Sequence, residues 1–193
     1  MRAEVHVALV HYPVLNKLGQ TVATAVTNLD IHDNARSARA FGCASFRLVT
    51  PLDAQLELVG RILRHWRDGF GARRVPRRVE AIELVRVDRS LPEALEEIRG
   101  GRDRKPVVIG TAARRLSRPT IGFARLRRRL REEQGPFVLI FGTGYGLADE
   151  ALDAAGAVLE PIGDPGDWNH LSVRSAVAIA LDRLLGDCGA RAD

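Results

Sequence analysis

Phe137-Val138-Leu139-Ile140-Phe141-Gly142-Thr143-Gly144-Tyr145-Gly146-Leu147 is an uninterrupted apolar run that breaks into a glycine-rich turn. A run of this length and composition reads as a parallel strand buried on both faces. Five weaker runs share the pattern, at residues 4–10, 46–50, 81–87, 106–110 and 157–160. Amphipathic segments lie between them. Thr50-Pro51-Leu52-Asp53 sets a capping threonine, a first-turn proline and an N3 acid before Leu52, Leu56, Val59, Leu63 and Trp66, which share one helical face. Ser90-Leu91-Pro92-Glu93 is a capping box ahead of Leu95 and Ile98. Phe123, Leu126 and Leu130 mark a further helix, and Val173, Val177, Leu181 and Leu184 the last. Strand and helix in alternation predict an α/β fold, a mainly parallel sheet with helices on both faces.

The chain of 193 residues fits one domain, taken as 1–193, with no internal repeat, low-complexity tract or linker. Residues 69–78, rich in Gly, Arg and Pro, read as a loop. Hydrophobic residues at 46% and charged residues at 27% are ordinary globular usage, not disorder. No apolar run approaches the ~20 residues of a membrane span. Met1-Arg2-Ala3-Glu4 shows no cleavage pattern, so a secretory signal is not expected. Cys43 and Cys188 stand alone, which argues against a disulfide scaffold or a zinc site and suits a reducing cytoplasm. Net charge is +5, and of 29 basic residues only Lys17 and Lys105 are lysines. Arginine's planar fork suits phosphate and base stacking, although a G+C-rich genome enriches arginine equally.

Ligands of open α/β sheets sit beyond the carboxyl ends of the strands. Four loops there carry polar or glycine-rich sequence: His11-Tyr12-Pro13, Gly110-Thr111-Ala112-Ala113-Arg114, the 142–146 turn, and Pro161-Ile162-Gly163-Asp164. The 142–146 turn is neither a dinucleotide fingerprint, since its third glycine comes one residue early, nor a Walker loop, since no Gly-Lys-Ser/Thr follows. Alone, it is a weak signal, with a plain turn as the alternative. Asp167-Trp168-Asn169-His170-Leu171-Ser172-Val173-Arg174-Ser175 packs polar groups at a helix start, where backbone donors are unpaired. Capping by Asn169 or Ser172, with Trp168 as a staple, accounts for part of it; a held polar ligand accounts for the cluster. Asp30, Asp33 and Arg36 recur on one side of a helix that ends at Gly42. His32 beside Asp33 has the chemistry of a metal ligand, but the remaining histidines show no ligand spacing, so no metal is expected. Between Arg114 and Arg131 stand eight arginines and no acid. A solvated helix face normally mixes signs, so Arg114, Arg115, Arg118, Arg127, Arg128 and Arg129 are candidate RNA contacts. A second basic set is Arg73, Arg74, Arg77 and Arg78.

Three stretches together resemble the SPOUT superfamily of S-adenosylmethionine-dependent RNA methyltransferases. The first is Thr27-Asn28-Leu29-Asp30-Ile31-His32-Asp33 with Arg36-Ser37-Ala38-Arg39-Ala40-Phe41-Gly42, and the second is the 141–147 turn. The third is Leu159-Glu160-Pro161-Ile162 with Asn169-His170-Leu171-Ser172-Val173-Arg174-Ser175-Ala176. With His11-Tyr12-Pro13, the third resembles the stand-alone bacterial family related to tRNA guanine-N1 methyltransferases. The resemblance implies a C-terminal deep trefoil knot, a homodimer, and S-adenosylmethionine held bent in the knot. It implies cofactor contacts from Thr111 and Ala112, from Phe141, Gly142, Thr143, Gly144 and Gly146, and from Leu159, Pro161, Ile162 and Gly163. Asn169, His170 and Leu171 complete that set. Ile140, Ile162 and Leu171 would offer the adenine ring an apolar slot. By the same analogy Arg36 contacts the RNA acceptor or its phosphate, Asn169 and Ser172 position acceptor and cofactor, and Asp30 is the candidate proton acceptor. The tRNA guanine-N1 enzymes carry a further helical domain with a catalytic aspartate that has no counterpart in this sequence, so guanine N1 is not carried over as the acceptor. The expected activity is methyl transfer to tRNA or rRNA. The alternatives are a non-catalytic RNA-binding or regulatory module that keeps the pocket, and a Rossmann-like small-molecule enzyme.

Overall fold

The computed structural model describes residues 3–69, 74–163 and 169–186. Seven parallel strands form one sheet in the order β5-β4-β1-β8-β6-β9-β7. They are β1 (Glu4–Val10), β4 (Ser45–Val49), β5 (Val85–Asp88), β6 (Val107–Gly110), β7 (Thr120–Ile121), β8 (Pro136–Gly142) and β9 (Ala157–Leu159). A separate antiparallel hairpin joins β2 (Val14–Leu15) to β3 (Thr21–Val22). The helices are α1 (Asn28–Ala40), α2 (Asp53–Arg67), α3 (Pro76–Ile82), α4 (Leu91–Arg99), α5 (Phe123–Glu132), α6 (Asp149–Leu152) and α7 (Val173–Leu185).

The apolar run that opens the sequence reading is the central strand, β8, between β1 and β6. Alternate residues of a strand point to opposite faces, and both faces are buried here. Val5, Val7, Leu9, Phe137, Leu139 and Phe141 join the core under α1, α2, α3, α5 and α7. Ala8, Val10, Val138 and Ile140 join a second core under α4 and α6. Helices therefore cover both faces, as predicted. β8 returns into the gap between two strands already laid down, an order in which the implied knot can be accommodated.

Three local expectations are corrected. Residues 81–87 are not one strand: Ala81 and Ile82 close α3, and β5 begins at Val85. The apolar run is continuous because a buried helix end and a buried strand start abut, which hydrophobicity alone does not separate. The 69–78 loop contains the start of α3, because a proline in the first turn of a helix reads in sequence like a loop proline; Pro76 holds that position. α2 starts later than its threonine suggested. Leu52 occupies the N-cap without a side-chain bond and is exposed, while Val59 and Leu63 carry the buried face. Ser90 caps α4 by accepting from the Glu93 N–H at 3.2 Å, as its capping box predicts.

Candidate active site

Because the seven strands run parallel, the loops after β1, β6, β8 and β9 leave from one edge of the sheet. Loops of this edge, together with the start of α7, enclose a cavity of about 900 Å³. Its floor is Phe141 and Leu159 at the strand ends. The turn after β8 forms one wall with Gly142, Thr143, Gly144, Tyr145 and Gly146, and Thr111, Ala112 and Ala113 form another. Ile162 follows β9, while Asn169, His170, Leu171 and Ser172 come from the approach to α7. Three sequence-distant stretches thus meet in one place, as the motif reading expects. Pro161 and Gly163 are not in the lining, although their neighbours Glu160 and Ile162 are. Asp167 and Trp168 lie outside the described residues.

The wall around the glycine turn is held by backbone. Tyr145 N–H donates to Leu15 O and Leu15 N–H to Gly146 O, both at 2.9 Å, so β2 and the turn are joined reciprocally. Gly144 has φ +59°, and a Cβ there would lie 2.9 Å from Leu15 O. Glycine is therefore required by both conformation and space. On the opposite side, the Asn169 amide donates to Ala113 O and bridges the last loop to the loop after β6. Ser172 is the cap of α7, its Oγ accepting from the Ser175 N–H at 3.2 Å.

Asp30 lines the cavity and is 8% exposed. Its Oδ2 accepts from the Thr27 N–H at 3.2 Å and from the Thr27 hydroxyl at 2.6 Å, while Thr27 Oγ1 accepts from the Asp30 N–H. This capping box fixes the carboxylate at the cavity edge. Glu160 has a comparable double position. It lines the cavity, and its Oε1 accepts from the Phe123 N–H at 2.7 Å, supplying α5 with the cap that Gly122 lacks. Arg36 is elsewhere. It is exposed and lines a separate cleft with His32, Trp66 and Arg78, so within one chain it does not meet Asp30, Asn169 or Ser172.

The sequence reading missed the hairpin's part in the site. Leu15, Thr24, Ala25 and Thr27 all line the cavity. The signal lay in the turn and not in the strands: Asn16-Lys17-Leu18-Gly19-Gln20 parts Val14-Leu15 from Thr21-Val22, and the Asn16 side chain accepts from the Leu18 and Gln20 N–H groups at 2.8 and 3.0 Å. Behind the wall, His11 Nδ1 lies 3.1 Å from Thr24 Oγ1, Thr24 Oγ1 2.5 Å from Thr143 Oγ1, and the Thr143 hydroxyl donates to Val10 O at 3.3 Å. Burial drives the His11 pKa down from 6.5 to about 4, so the ring is neutral at pH 7.

The candidate RNA arginines divide. Arg118 donates to Asp149 and Asp153 at 2.8 and 2.9 Å. Arg127 caps the end of α7 through Arg183 O at 3.1 Å and Gly186 O. Arg129 forks onto Glu133 and lies 5.5 Å from the Phe137 ring centroid. Arg114, Arg115 and Arg128 are exposed. An acid-free stretch of sequence is thus not acid-free in space.

The cavity fits S-adenosylmethionine by size and by donor set. Ligand pockets of this kind span roughly 300–1,000 Å³ and are mostly apolar with a few convergent polar groups. Here the apolar part comes from Phe141, Leu159, Ile162 and Leu171, with hydroxyls from Thr24, Thr111 and Thr143. Asp30 and Glu160 bring negative charge suited to a sulfonium.

Comparison with known proteins agrees with this geometry. Residues 4–186 match a family described as SAM-dependent RNA methyltransferase. An uncharacterized protein of Aquifex aeolicus is 40% identical over 180 residues, covering 93% of this chain and 87% of that one. A tRNA (guanine-N(1)-)-methyltransferase of Oleidesulfovibrio alaskensis is 44% identical over 180 residues, covering 93% of this chain. The match spans only 41% of that relative's length. Among solved structures, a probable methylase family protein from Haemophilus influenzae superposes with a TM-score of 0.63 at 21% identity, over 95% of this chain and 66% of that one. Site, sheet order and sequence motifs converge: the chain belongs to the SAM-dependent RNA methyltransferase family.

Proposed function

We propose that this chain methylates a nucleotide of structured RNA, a tRNA or an rRNA, with S-adenosylmethionine in the cavity at the carboxyl edge of the sheet. The observation that carries this is the convergence of the 111–113, 141–146 and 169–172 stretches on that cavity. When bound, the cofactor would supply an electrophilic methyl group on a sulfonium, passed to the acceptor by in-line displacement with the neutral thioether as leaving group. Thr111, Ala112, the 141–146 turn, Leu159, Ile162, His170 and Leu171 would hold it, and Pro161 and Gly163 would shape the loop around Ile162. Positioning is the main contribution the protein makes to such a step. Asn169 and Ser172 would orient acceptor and cofactor, and Asp30 would take a proton from an acceptor that carries one. Arg36, outside the cavity, would contact RNA phosphate.

The proposal extends to assembly and location: a single SPOUT-type domain with a knotted C-terminal part, a homodimer, and the cytoplasm. Among the described residues no helix is long and apolar enough to cross a membrane.

The test is transfer of labelled methyl from S-adenosylmethionine to total RNA of a strain lacking this gene, followed by digestion to nucleosides. The expected result is label in one modified nucleoside, absent when the RNA comes from the parent strain. Cofactor binding without transfer to any RNA would replace this reading with a regulatory one.

A further inference from the structure

A second concavity, of about 720 Å³, lies away from the cofactor cavity where α3 packs on both α1 and α2. It has an aromatic centre and a positive rim. Trp66, half-buried on α2, meets His32 edge-on with ring centroids 5.1 Å apart, and His65 edge-on at 5.4 Å. The Arg78 guanidinium lies over the indole, 4.7 Å from its centroid. Arg36 and Arg61 complete the rim. Among the described residues of the lining, Asp33 is the one acid against three arginines, and it faces Arg174 at 3.9 Å. Burial and the nearby Arg78 hold the His32 pKa below its usual value, so the ring adds no charge at pH 7. The cleft's charge is therefore guanidinium charge.

An aromatic ring under a guanidinium is a surface on which a nucleobase stacks, and neighbouring guanidiniums fork onto phosphate. We propose that this α1–α2–α3 cleft is a second RNA subsite, which takes an unstacked base of the substrate against Trp66 and Arg78 and its flanking phosphates on Arg36 and Arg61. The assignment rests on the reading that RNA is the substrate. It gives the phosphate contact proposed for Arg36 a place in the fold, and it gives Arg78, from the second basic set, a position in recognition. The site would grip the RNA outside the cavity of its own chain. Its loss should weaken binding without altering cofactor affinity.

The probe is a short single-stranded oligoadenylate, read by intrinsic tryptophan fluorescence. Addition to the wild-type protein should quench emission, and the quenching should be lost at high salt and in Trp66→Phe, where the reporting indole is gone. Arg78→Ala and Arg36→Ala, both at the rim, should each weaken oligoadenylate and substrate RNA binding by roughly fivefold or more, and Trp66→Ala by about tenfold. Cofactor affinity by calorimetry should be unchanged in all four, which also shows that the fold persists. Unchanged RNA affinity in the Arg78 and Arg36 variants would overturn the subsite. So would conversion of a dimer to monomers by Trp66→Ala at unaltered affinity per chain, because the cleft would then be a contact between copies. Methyl transfer measured on the same wild-type preparation separates the two readings. Transfer that proceeds while the cleft variants bind RNA normally overturns only the subsite; no transfer and no RNA affinity overturn both.

Discussion

His11 is enclosed completely just beyond the end of β1, and the only described hydrogen-bond partner of its ring is the Thr24 hydroxyl. His6, on the same strand, is also held down to about 4 by burial, with Glu4 opposing the shift. In the unfolded chain both titrate near 6.5. Between pH 6.5 and 4 the unfolded chain binds protons that the folded chain refuses, so stability falls as the pH drops through that window and is flat above it. Each histidine costs roughly 2 kcal/mol by pH 5. Urea midpoints at pH 7 and 5 should therefore differ more for the wild type than for His11→Asn. An equal difference would show that the ring is protonated in the native state. The sequence singles out His11 by its motif but does not show why it is neutral, because the burial that lowers its pKa exists only once the sheet and the hairpin have closed around it.

At the scale of elements, the turn after β8 depends on β2 as much as on its own glycines. Gly144→Val would place side-chain atoms against Leu15 O at a positive φ and push the hairpin off the cavity wall. The expected outcome is loss of cofactor affinity by more than tenfold in calorimetry, with the helix and strand signals of circular dichroism retained. Unchanged affinity would remove this turn from the site. The long elements of this fold were legible because each is periodic over at least two turns or buried on both faces. β7, β2 and β3 were not, since two residues carry no period. Arg47 shows a second limit. It lies within the run read as β4, yet it is buried only because Asp88 of β5 forks onto it, with bonds of 2.9 and 2.5 Å, and Glu97 joins them. Sequence alone does not pair residues forty positions apart.

Across the whole molecule, the basic stretch between Arg114 and Arg131 divides by partner. Arg118, Arg127 and Arg129 tie α6, α7 and β8 to their surroundings, whereas Arg114, Arg115 and Arg128 face solvent. Alanine at the three solvent-facing positions should reduce the salt dependence of RNA binding by roughly 2 in log–log slope, at unchanged melting temperature. Alanine at Arg127 and Arg129 should lower the melting temperature first. A slope that does not move in the first triple variant would make that face merely solvated. Which arginines are available to RNA was illegible in the sequence, because their acids come from α6 and from beyond the stretch.

Glu160 bounds the cavity proposed for the cofactor and also caps the start of the helix that carries the arginines. Anyone who trims it to admit a bulkier cofactor analogue would at the same stroke unfasten the first turn of α5. Enlarging this pocket thus calls for a replacement cap, such as serine at Gly122, built in alongside.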